Sequence, residues 1–189
     1  MSQATVGRPR VPRELHTRRL VLKGPDPKLA EPLRAGVRDS FEALHRWMEW
    51  AREVPTLEEQ RAHLELTRAQ NETGESVSYY FFLKDDDTFV GAGGFPRIDW
   101  DELCFEIGYW CHTAHEGCGY VSEAVHALTG LAFEHLGARR VEIRMSEANQ
   151  KSWRVAERCG FSFERSFDDE ITDPDGTPRR TRVYVRSSP

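Results

Sequence analysis

The stretch that decides the fold is residues 103–125, which read LCFEIGYWCHTAHEGCGYVSEAV. Apolar side chains occupy every second position over residues 103–110, and this alternation predicts a strand. An apolar stripe at helical spacing predicts a helix over residues 120–136. A loop with two glycines, Gly117 and Gly119, therefore connects a strand to a helix.

The rest of the chain completes an α+β pattern. A strand predicted at residues 140–145 makes residues 103–145 one parallel strand–helix–strand crossover. Further strands are predicted at residues 16–23, 77–83, 88–95, 161–167 and 180–186, and helices at residues 41–51, 56–74 and 149–159. The run Asp173-Pro174-Asp175-Gly176 predicts the turn between the last two strands. Together these elements predict a mixed, mostly antiparallel sheet of about seven strands flanked by helices.

Length and composition exclude several classes of protein. The 189 residues predict a single domain over residues 13–189, preceded by a flexible basic tail at residues 1–12. A net charge of −5 argues against DNA or general nucleic-acid binding. We expect no membrane span and no secretory signal, since no long apolar run is present. The four cysteines are then expected to be reduced thiols in a cytoplasmic protein.

The glycine loop is a candidate anion site. Glycines let a backbone approach a ligand closely, and the first N–H groups of a helix bind anions such as a pyrophosphate. A tight turn without a ligand is the structural alternative. Two other nucleotide motifs fit poorly. Gly91-Ala92-Gly93-Gly94 is followed by Pro96 and no helix, and no Gly-Lys-Ser/Thr run is present.

Four motifs in order resemble the GNAT acetyltransferases. They are FEIGYW at residues 105–110, GCGYVSEAV at residues 117–125, RVEIR at residues 140–144, and NQKS at residues 149–152 followed by CGF at residues 159–161. The chain is most similar to the RimJ/RimL-like branch, the N-terminal acetyltransferases of ribosomal proteins. The strong resemblance covers residues 89–161, and it implies the GNAT fold, with the crossover carrying the coenzyme A loop.

The resemblance implies that acetyl-CoA is the cosubstrate. In the family, loop amides hold the pyrophosphate; the matching residues here are Gly117, Cys118, Gly119, Tyr120, Val121 and Ser122. The backbone of Trp110 and Cys111 would align the pantetheine arm. The helix with Asn149 and Ser152 at its start would flank the thioester. Two positions depart from the family pattern, since Glu116 stands where Gln or Arg is usual and Val121 where Gly or Ala is usual.

Two residues are candidates for catalysis. Glu106 places a carboxylate in an apolar strand where several relatives carry their base, although a structural carboxylate paired with an arginine fits the sequence as well. Many GNAT enzymes protonate the departing thiolate with a tyrosine, and Ala156 stands at that position. The RimJ/RimL-like branch has a serine at the position of Ser152, whose hydroxyl either serves that purpose or caps the helix.

The acceptor side is less defined. Asp99 and Trp100 combine a carboxylate with an aromatic ring and suit a cationic amine, with a solvated turn as the alternative. Trp47, Trp50 and Trp153 are further candidates, with core packing expected for at least two of them. Cys111, His112, His115 and Cys118 have zinc-ligand chemistry, but they occupy the proposed coenzyme loop, so we expect no metal.

The sequence therefore predicts a cytoplasmic N-acetyltransferase. Its partners would be acetyl-CoA and a primary amine, either a protein N-terminus or a small molecule. The alternative is a non-catalytic module of the same fold that binds coenzyme A or a protein. The acceptor's identity is not readable from the sequence, and the oligomeric state, including a homodimer, stays open.

Overall fold

One sheet organises the fold. The computed structural model describes residues 8–173 and 176–188. Within these ranges the strands are β1 (Glu14–His16), β2 (Leu20–Lys23), β3 (Val77–Leu83), β4 (Phe89–Asp99), β5 (Cys104–Cys111), β6 (Arg140–Ser146), β7 (Ser162–Thr172) and β8 (Pro178–Ser187). They form one 8-stranded sheet in the order β1-β2-β3-β4-β5-β6-β8-β7. The α-helices are α1 (Ala30–Asp39), α2 (Phe41–Trp47), α3 (Leu57–Thr73), α4 (Tyr120–Gly130) and α5 (Gln150–Arg158).

The crossover from β5 through α4 to β6 contains the parallel pairing. All the other strand pairs of the described chain are antiparallel. The parallel pairing covers Cys104–Arg140, Phe105–Val141 and Glu106–Glu142, and it goes no further. β5 and β6 therefore separate beyond Glu106.

The two faces of the sheet carry different helices. One face packs with α4 and α5 around a large apolar cluster that includes Phe105, Ile107 and Val125. The other face packs with α1 and α3 around a smaller cluster that includes Leu33, Leu64 and Tyr80, with Trp110 against it. Because successive side chains of a strand point to opposite faces, β5 contributes to both clusters.

Local sequence signals set several helix ends. Thr56 and Glu59 form a reciprocal capping box at the start of α3, and Gly74 ends that helix in the left-handed conformation, with φ 68°. Asn149 caps α5 through a hydrogen bond that its side chain accepts from the backbone N–H of Ser152. These ends were predicted from the sequence and are confirmed.

Some sequence expectations need correction. The strand expected at residues 16–23 is two short strands, because Leu20 turns back to pair with Thr17, which gives eight strands instead of about seven. The α-helical part of the crossover helix ends at Gly130, and residues Leu131–His135 continue as a wider π-helix. Helix α1 was not predicted as a separate element.

The segment before β1 is docked against the body for as far as it is described. Val11 packs against the larger apolar cluster, and the carbonyl of Pro12 accepts a 2.6 Å hydrogen bond from the Tyr79 hydroxyl. Residues 8–12 therefore lie against the folded body. Residues 1–7 lie outside the described residues. So do Pro174 and Asp175 of the expected turn and the chain end at Pro189. No described helix has the length and apolar character to cross a membrane.

Candidate active site

The separation of β5 from β6 opens a gap in the sheet. Beyond Glu106, β5 stays paired to β4 as far as Cys111 but has no partner on its β6 side. Residues 107–111 therefore present a free backbone edge to the gap. One side chain crosses it, since the Tyr109 hydroxyl donates a 2.8 Å hydrogen bond to the carbonyl of Ser152 on α5.

The glycine loop closes one end of this gap. Gly117 and Gly119 both have φ 79°, a left-handed conformation that favours glycine. Gly119 is the N-cap of α4 and offers no side chain to the helix, so the first amides of α4 remain available to a ligand. A Cβ on Gly117 would meet nothing within 4 Å. The loop thus combines open space with a helix N-terminus, and the residues present fit an anionic group.

Arg19, from the turn before β2, holds the loop in place. Its guanidinium donates to the Cys118 carbonyl at 2.9 Å and to the Glu123 carboxylate at 2.7 Å, and it lies 4.5 Å from the centre of the Tyr120 ring. Although burial raises the pKa of Glu123, hydrogen bonds from Thr17 and Arg19 lower it overall. The sequence alone does not reveal Arg19, because a contact across about a hundred residues leaves no local pattern.

The two departures of the loop from the family pattern have local explanations. The Glu116 carboxylate accepts a 2.5 Å hydrogen bond from Lys151 Nζ, so its charge is compensated. Val121 is buried in the larger apolar cluster under α4. Its bulk therefore faces the core rather than the gap.

Glu106 lies where the gap begins. Its carboxylate is 3.5 Å from an Arg97 guanidinium nitrogen and 3.6 Å from Arg144 Nε. Its neighbour across the parallel pair, Glu142, takes the closer contacts of Arg140 and Arg144. Burial raises the pKa of Glu106, while the two arginines Arg97 and Arg144 oppose that change. A carboxylate with a raised pKa is a better proton acceptor than an ordinary one.

Ser152 lies on the opposite side of the gap. Its backbone N–H donates to Asn149 Oδ1 at 3.2 Å, so the helix is capped by Asn149 and not by the serine hydroxyl. Ser152 Oγ lies 3.1 Å from the Tyr109 hydroxyl. Burial raises the pKa of Tyr109, so this phenol stays protonated and acts as a donor. That phenol proton goes to the Ser152 carbonyl, so in the 3.1 Å contact the Ser152 hydroxyl is the donor and the Tyr109 oxygen accepts.

A cleft of about 640 Å³ lies beside the gap, on the face covered by α1 and α3. Its floor includes Gly108 and Trp110, which alternation places on the same side of β5 as Glu106. Its walls include Trp50, Gln60 and further residues of α1 and α3. The volume is typical of a small-molecule site.

Comparison with known proteins identifies this arrangement. Residues 19–162 match the family model described as "Acetyltransferase (GNAT) domain". The chain belongs to the GNAT acetyltransferase family. This GNAT chain is therefore an acyltransferase, and the matched residues span both sides of the gap and the whole glycine loop.

The curated relatives are named as N-acetyltransferases, and the Escherichia coli protein is named as a ribosomal-protein acetyltransferase. A probable N-acetyltransferase, YjcK of Bacillus subtilis, is 32% identical over 128 residues, which is 67% of this chain and 70% of YjcK. The ribosomal-protein-serine acetyltransferase of Escherichia coli is 29% identical over 121 residues, 64% of this chain and 66% of that protein. The Escherichia coli match supports the RimJ/RimL-like branch.

Solved structures share the fold over nearly the whole chain. RimL, a ribosomal L7/L12 α-N-protein acetyltransferase in complex with coenzyme A, has a TM-score of 0.83 at 25% identity, covering 91% of this chain and 96% of RimL. The microcin C7 self-immunity acetyltransferase MccE, in complex with acetyl-CoA and AMP, has a TM-score of 0.85 at 22% identity, covering 94% and 98%.

In the structure of this GNAT chain, the two acceptor residues expected from the sequence, Asp99 and Trp100, lie outside the cleft. The Trp100 indole N–H donates to the Gly74 carbonyl at 2.7 Å, and its ring packs edge-on against buried Phe105. The Asp99 carboxylate accepts from two backbone amides of its own turn. Neither residue lines the cleft, so both serve the packing of the turn after β4.

Of the three further candidates Trp47, Trp50 and Trp153, Trp50 lines the cleft and Trp153 packs against the apolar core. The cysteines and histidines of the loop form no metal site: within residues 8–173 and 176–188, no group of three or more His, Cys, Asp or Glu side chains is placed to hold an ion. All four cysteines are free thiols.

Proposed function

We propose that this chain binds acetyl-CoA along the gap between β5 and β6 and transfers the acetyl group to a primary amine held in the cleft. The observation that carries the proposal is the loss of strand pairing at Glu106. It exposes a backbone edge that ends at a helix N-terminus with two left-handed glycines. A pantetheine arm fits along such an edge, and a pyrophosphate fits the loop amides of residues 117–122.

The charges around the cleft suit an amine. Glu53 and Glu59 are the charged carboxylates among the lining residues, and no lysine or arginine of the described chain lines it. Desolvation lowers the pKa of His63, so its imidazole is neutral at pH 7. An incoming ammonium group therefore meets attraction and no cationic side chain in the cleft wall.

The amine must lose a proton before it attacks. At pH 7 about 0.04% of a lysine side chain is neutral, against about 10–15% of an α-amine. The corresponding costs are about 4.6 kcal/mol and about 1–1.4 kcal/mol. A site with one moderately basic carboxylate therefore matches an α-amine better than a lysine.

We assign the proton transfers to Glu106 and Ser152. The amine nitrogen forms a bond to the thioester carbonyl carbon and gives its proton to Glu106, directly or through water. The carbon–sulfur bond then breaks, the Ser152 hydroxyl passes its proton to the thiolate, and the serine regains a proton from solvent water as Glu106 releases the amine proton to solvent. Asn149 and Tyr109 hold Ser152 in place for this step. The free thiols fit a reducing compartment, and we place the reaction in the cytoplasm.

The test is acetylation of an amine panel by the purified full-length chain. Acetyl-CoA would be incubated with α-amino amides, peptides with free N-termini, lysine side-chain analogues and polyamines, and products detected by mass spectrometry. Mass detection is preferable to thiol reagents, because Cys118 is exposed and would react. Acetylated products, most with α-amines, support the proposal, and binding of acetyl-CoA without any product would favour the non-catalytic alternative.

A further inference from the structure

One polar side chain of the cleft wall has no partner. Gln60, in the first turns of α3, is only 6% exposed and lines the cleft. Its backbone N–H bonds the Thr56 carbonyl, but no residue within the described ranges forms a hydrogen bond with its side-chain amide. Its amide atoms are not among the fully enclosed side-chain atoms without a partner, so they reach the open cleft, where water or a ligand can pair with them.

The neighbouring polar groups of α3 show that this is unusual. The Glu59 carboxylate accepts two hydrogen bonds from Thr56 in the capping box, both at Oε2. Thr67, also buried, donates its hydroxyl proton to the His63 carbonyl at 2.9 Å. Helix α3 thus satisfies its other buried or capping groups, and leaves one donor–acceptor pair, the Gln60 amide, for a molecule in the cleft.

Another part of the cleft wall is apolar and aromatic. Trp50 is 55% exposed, and its ring centre lies 6.4 Å from that of Trp110. Trp110 is in turn packed edge-on against Phe89 at 5.4 Å. The apolar lining comprises Leu33, Val37, Met48, Trp50, Ala92 and Trp110. A large exposed tryptophan at the mouth of a cleft is a surface that gains from being covered.

The strand spacing orders these features. Glu106, Gly108 and Trp110 lie on one side of β5, and each step of two residues is about 6.6 Å. Gly108 adds no side chain, and the Pro96 ring lies over it, since a Cβ there would meet Pro96 Cγ at 3.3 Å. Glu106 and Trp110 are thus about 13 Å apart along β5, a span that an amino-acid amide and one water molecule can cover.

We propose that the acceptor is an α-amino amide with a bulky apolar or aromatic side chain. The amide group pairs with Gln60, the side chain packs between Trp50 and Trp110, and the α-amine lies toward Glu106. This inference rests on the proposed acetyl transfer and adds the class of acceptor. It differs from a serine N-terminus, named for the Escherichia coli relative, because a hydroxymethyl group would leave the apolar wall uncovered.

The first experiment compares acceptors that differ in one feature, using the full-length enzyme with saturating acetyl-CoA. Phenylalaninamide should exceed serinamide in kcat/KM by about 10-fold or more, since apolar contacts of this size discriminate by that amount. Phenethylamine lacks the amide. Its kcat/KM, corrected for its more basic amine, should be lower than that of phenylalaninamide by about 10-fold or more. Spermidine should be a poor acceptor.

Variants then assign each feature to its residue. Gln60→Met keeps the length of the side chain and removes the amide. It should lower kcat/KM for phenylalaninamide toward that of phenethylamine and leave phenethylamine unchanged. Trp50→Ala should reduce the preference for phenylalaninamide over serinamide. Leu66→Ala, an exposed position of α3 outside the cleft, is the matched control and should change neither ratio.

The outcomes separate the two proposals. If no amine is acetylated, the proposed function fails. If amines are acetylated but serinamide or spermidine equals phenylalaninamide, or Gln60→Met lowers both acceptors alike, the acceptor class is wrong and the acetyl transfer stands. Peptides Phe-Ala-Ala and Ser-Ala-Ala extend the comparison: a peptide preferred over its amide identifies a polypeptide N-terminus as the source, and the reverse identifies a free amino-acid derivative.

Discussion

At the scale of single residues, Glu106 is the position on which the chemistry depends. Burial raises its pKa, and Arg97 and Arg144 at 3.5 and 3.6 Å limit the rise without forming close hydrogen bonds. We expect Glu106→Gln to lower kcat by about 100-fold or more, with little change in acetyl-CoA affinity. The measurement is steady-state kinetics together with a binding titration.

The pH profile tests the same residue. The amine must be deprotonated, which gives log kcat/KM a slope of one against pH below the pKa of the amine. Glu106 works as a base only when it is deprotonated as well, so below its pKa the slope should rise to two. Because that pKa is raised, the break should lie above the ordinary Glu value of 4.5. Arg97→Gln removes an exposed ion-pair partner and should move the break upward by less than one pH unit. If the pH profile of wild type shows no break, or if Glu106→Gln and Arg97→Gln both leave the break where it is, Glu106 has a structural role.

Ser152 and Tyr109 form a pair whose effects should not add. Ser152→Ala should lower kcat less than Glu106→Gln does, since a thiol of pKa about 8.5 leaves fairly well unaided. The loss should persist at high pH, where the amine is already neutral but the thiolate must still leave. Tyr109→Phe removes the 2.8 Å bond that holds Ser152, and it should cost little more in the Ser152→Ala background. If the losses in kcat add in the double variant, the two residues act independently.

At the scale of elements, the glycine loop shows how charge is balanced around a binding segment. Glu116 would repel a pyrophosphate, but Lys151 lies 2.5 Å from its carboxylate. Lys151→Ala should therefore weaken coenzyme A binding several-fold by leaving Glu116 unpaired. Glu116→Gln should restore or improve it, and the Lys151→Ala effect should shrink in that background. Isothermal titration at low and high salt measures all four proteins, and the differences should decrease with salt.

The elements also mark what the sequence predicts well. The capping box at Thr56, the bounds of β3 and the glycine stop at Gly74 were readable because a few adjacent residues decide them. The crossover was readable because its loop carries a recognisable motif. The role of Trp100 was not, because its indole is fixed by Gly74 and Phe105, which come from other elements.

The same distinction applies to the residues of the candidate site: those in local motifs were predictable, and those that act through distant contacts were not. Residues proposed from motifs, such as Glu106 and Ser152, do border the gap. Arg19 and Gln60 could not be found this way: the first acts through Cys118 and Glu123, and the second matters because its burial leaves it without a partner. Both properties exist only once the chain is folded.

At the scale of the whole molecule, the fold is open at the gap where the cosubstrate would bind and is packed elsewhere. The gap interrupts the sheet between β5 and β6, with five strands on one side and three on the other. Residues on both sides of it, from β5, α4 and α5, would contact the same cosubstrate. Coenzyme A should therefore act as a link between the two halves of the sheet, and stabilise the molecule globally instead of only ordering a loop.

This linkage gives a measurable stabilisation. A ligand at 100 times its dissociation constant adds about 2.7 kcal/mol, which for a chain of this size raises Tm by about 5–11 °C. Gly119→Asp places a negative charge where the pyrophosphate would lie, and should abolish the shift. Gly119→Ala is the control, since it carries the same backbone strain at φ 79° and the same approach to Arg19 without the charge. The two apo proteins should melt at similar temperatures, below wild type. A shift that survives in Gly119→Asp would place the pyrophosphate elsewhere, and a shift lost equally in both variants would mean that loop geometry, not charge, governs binding.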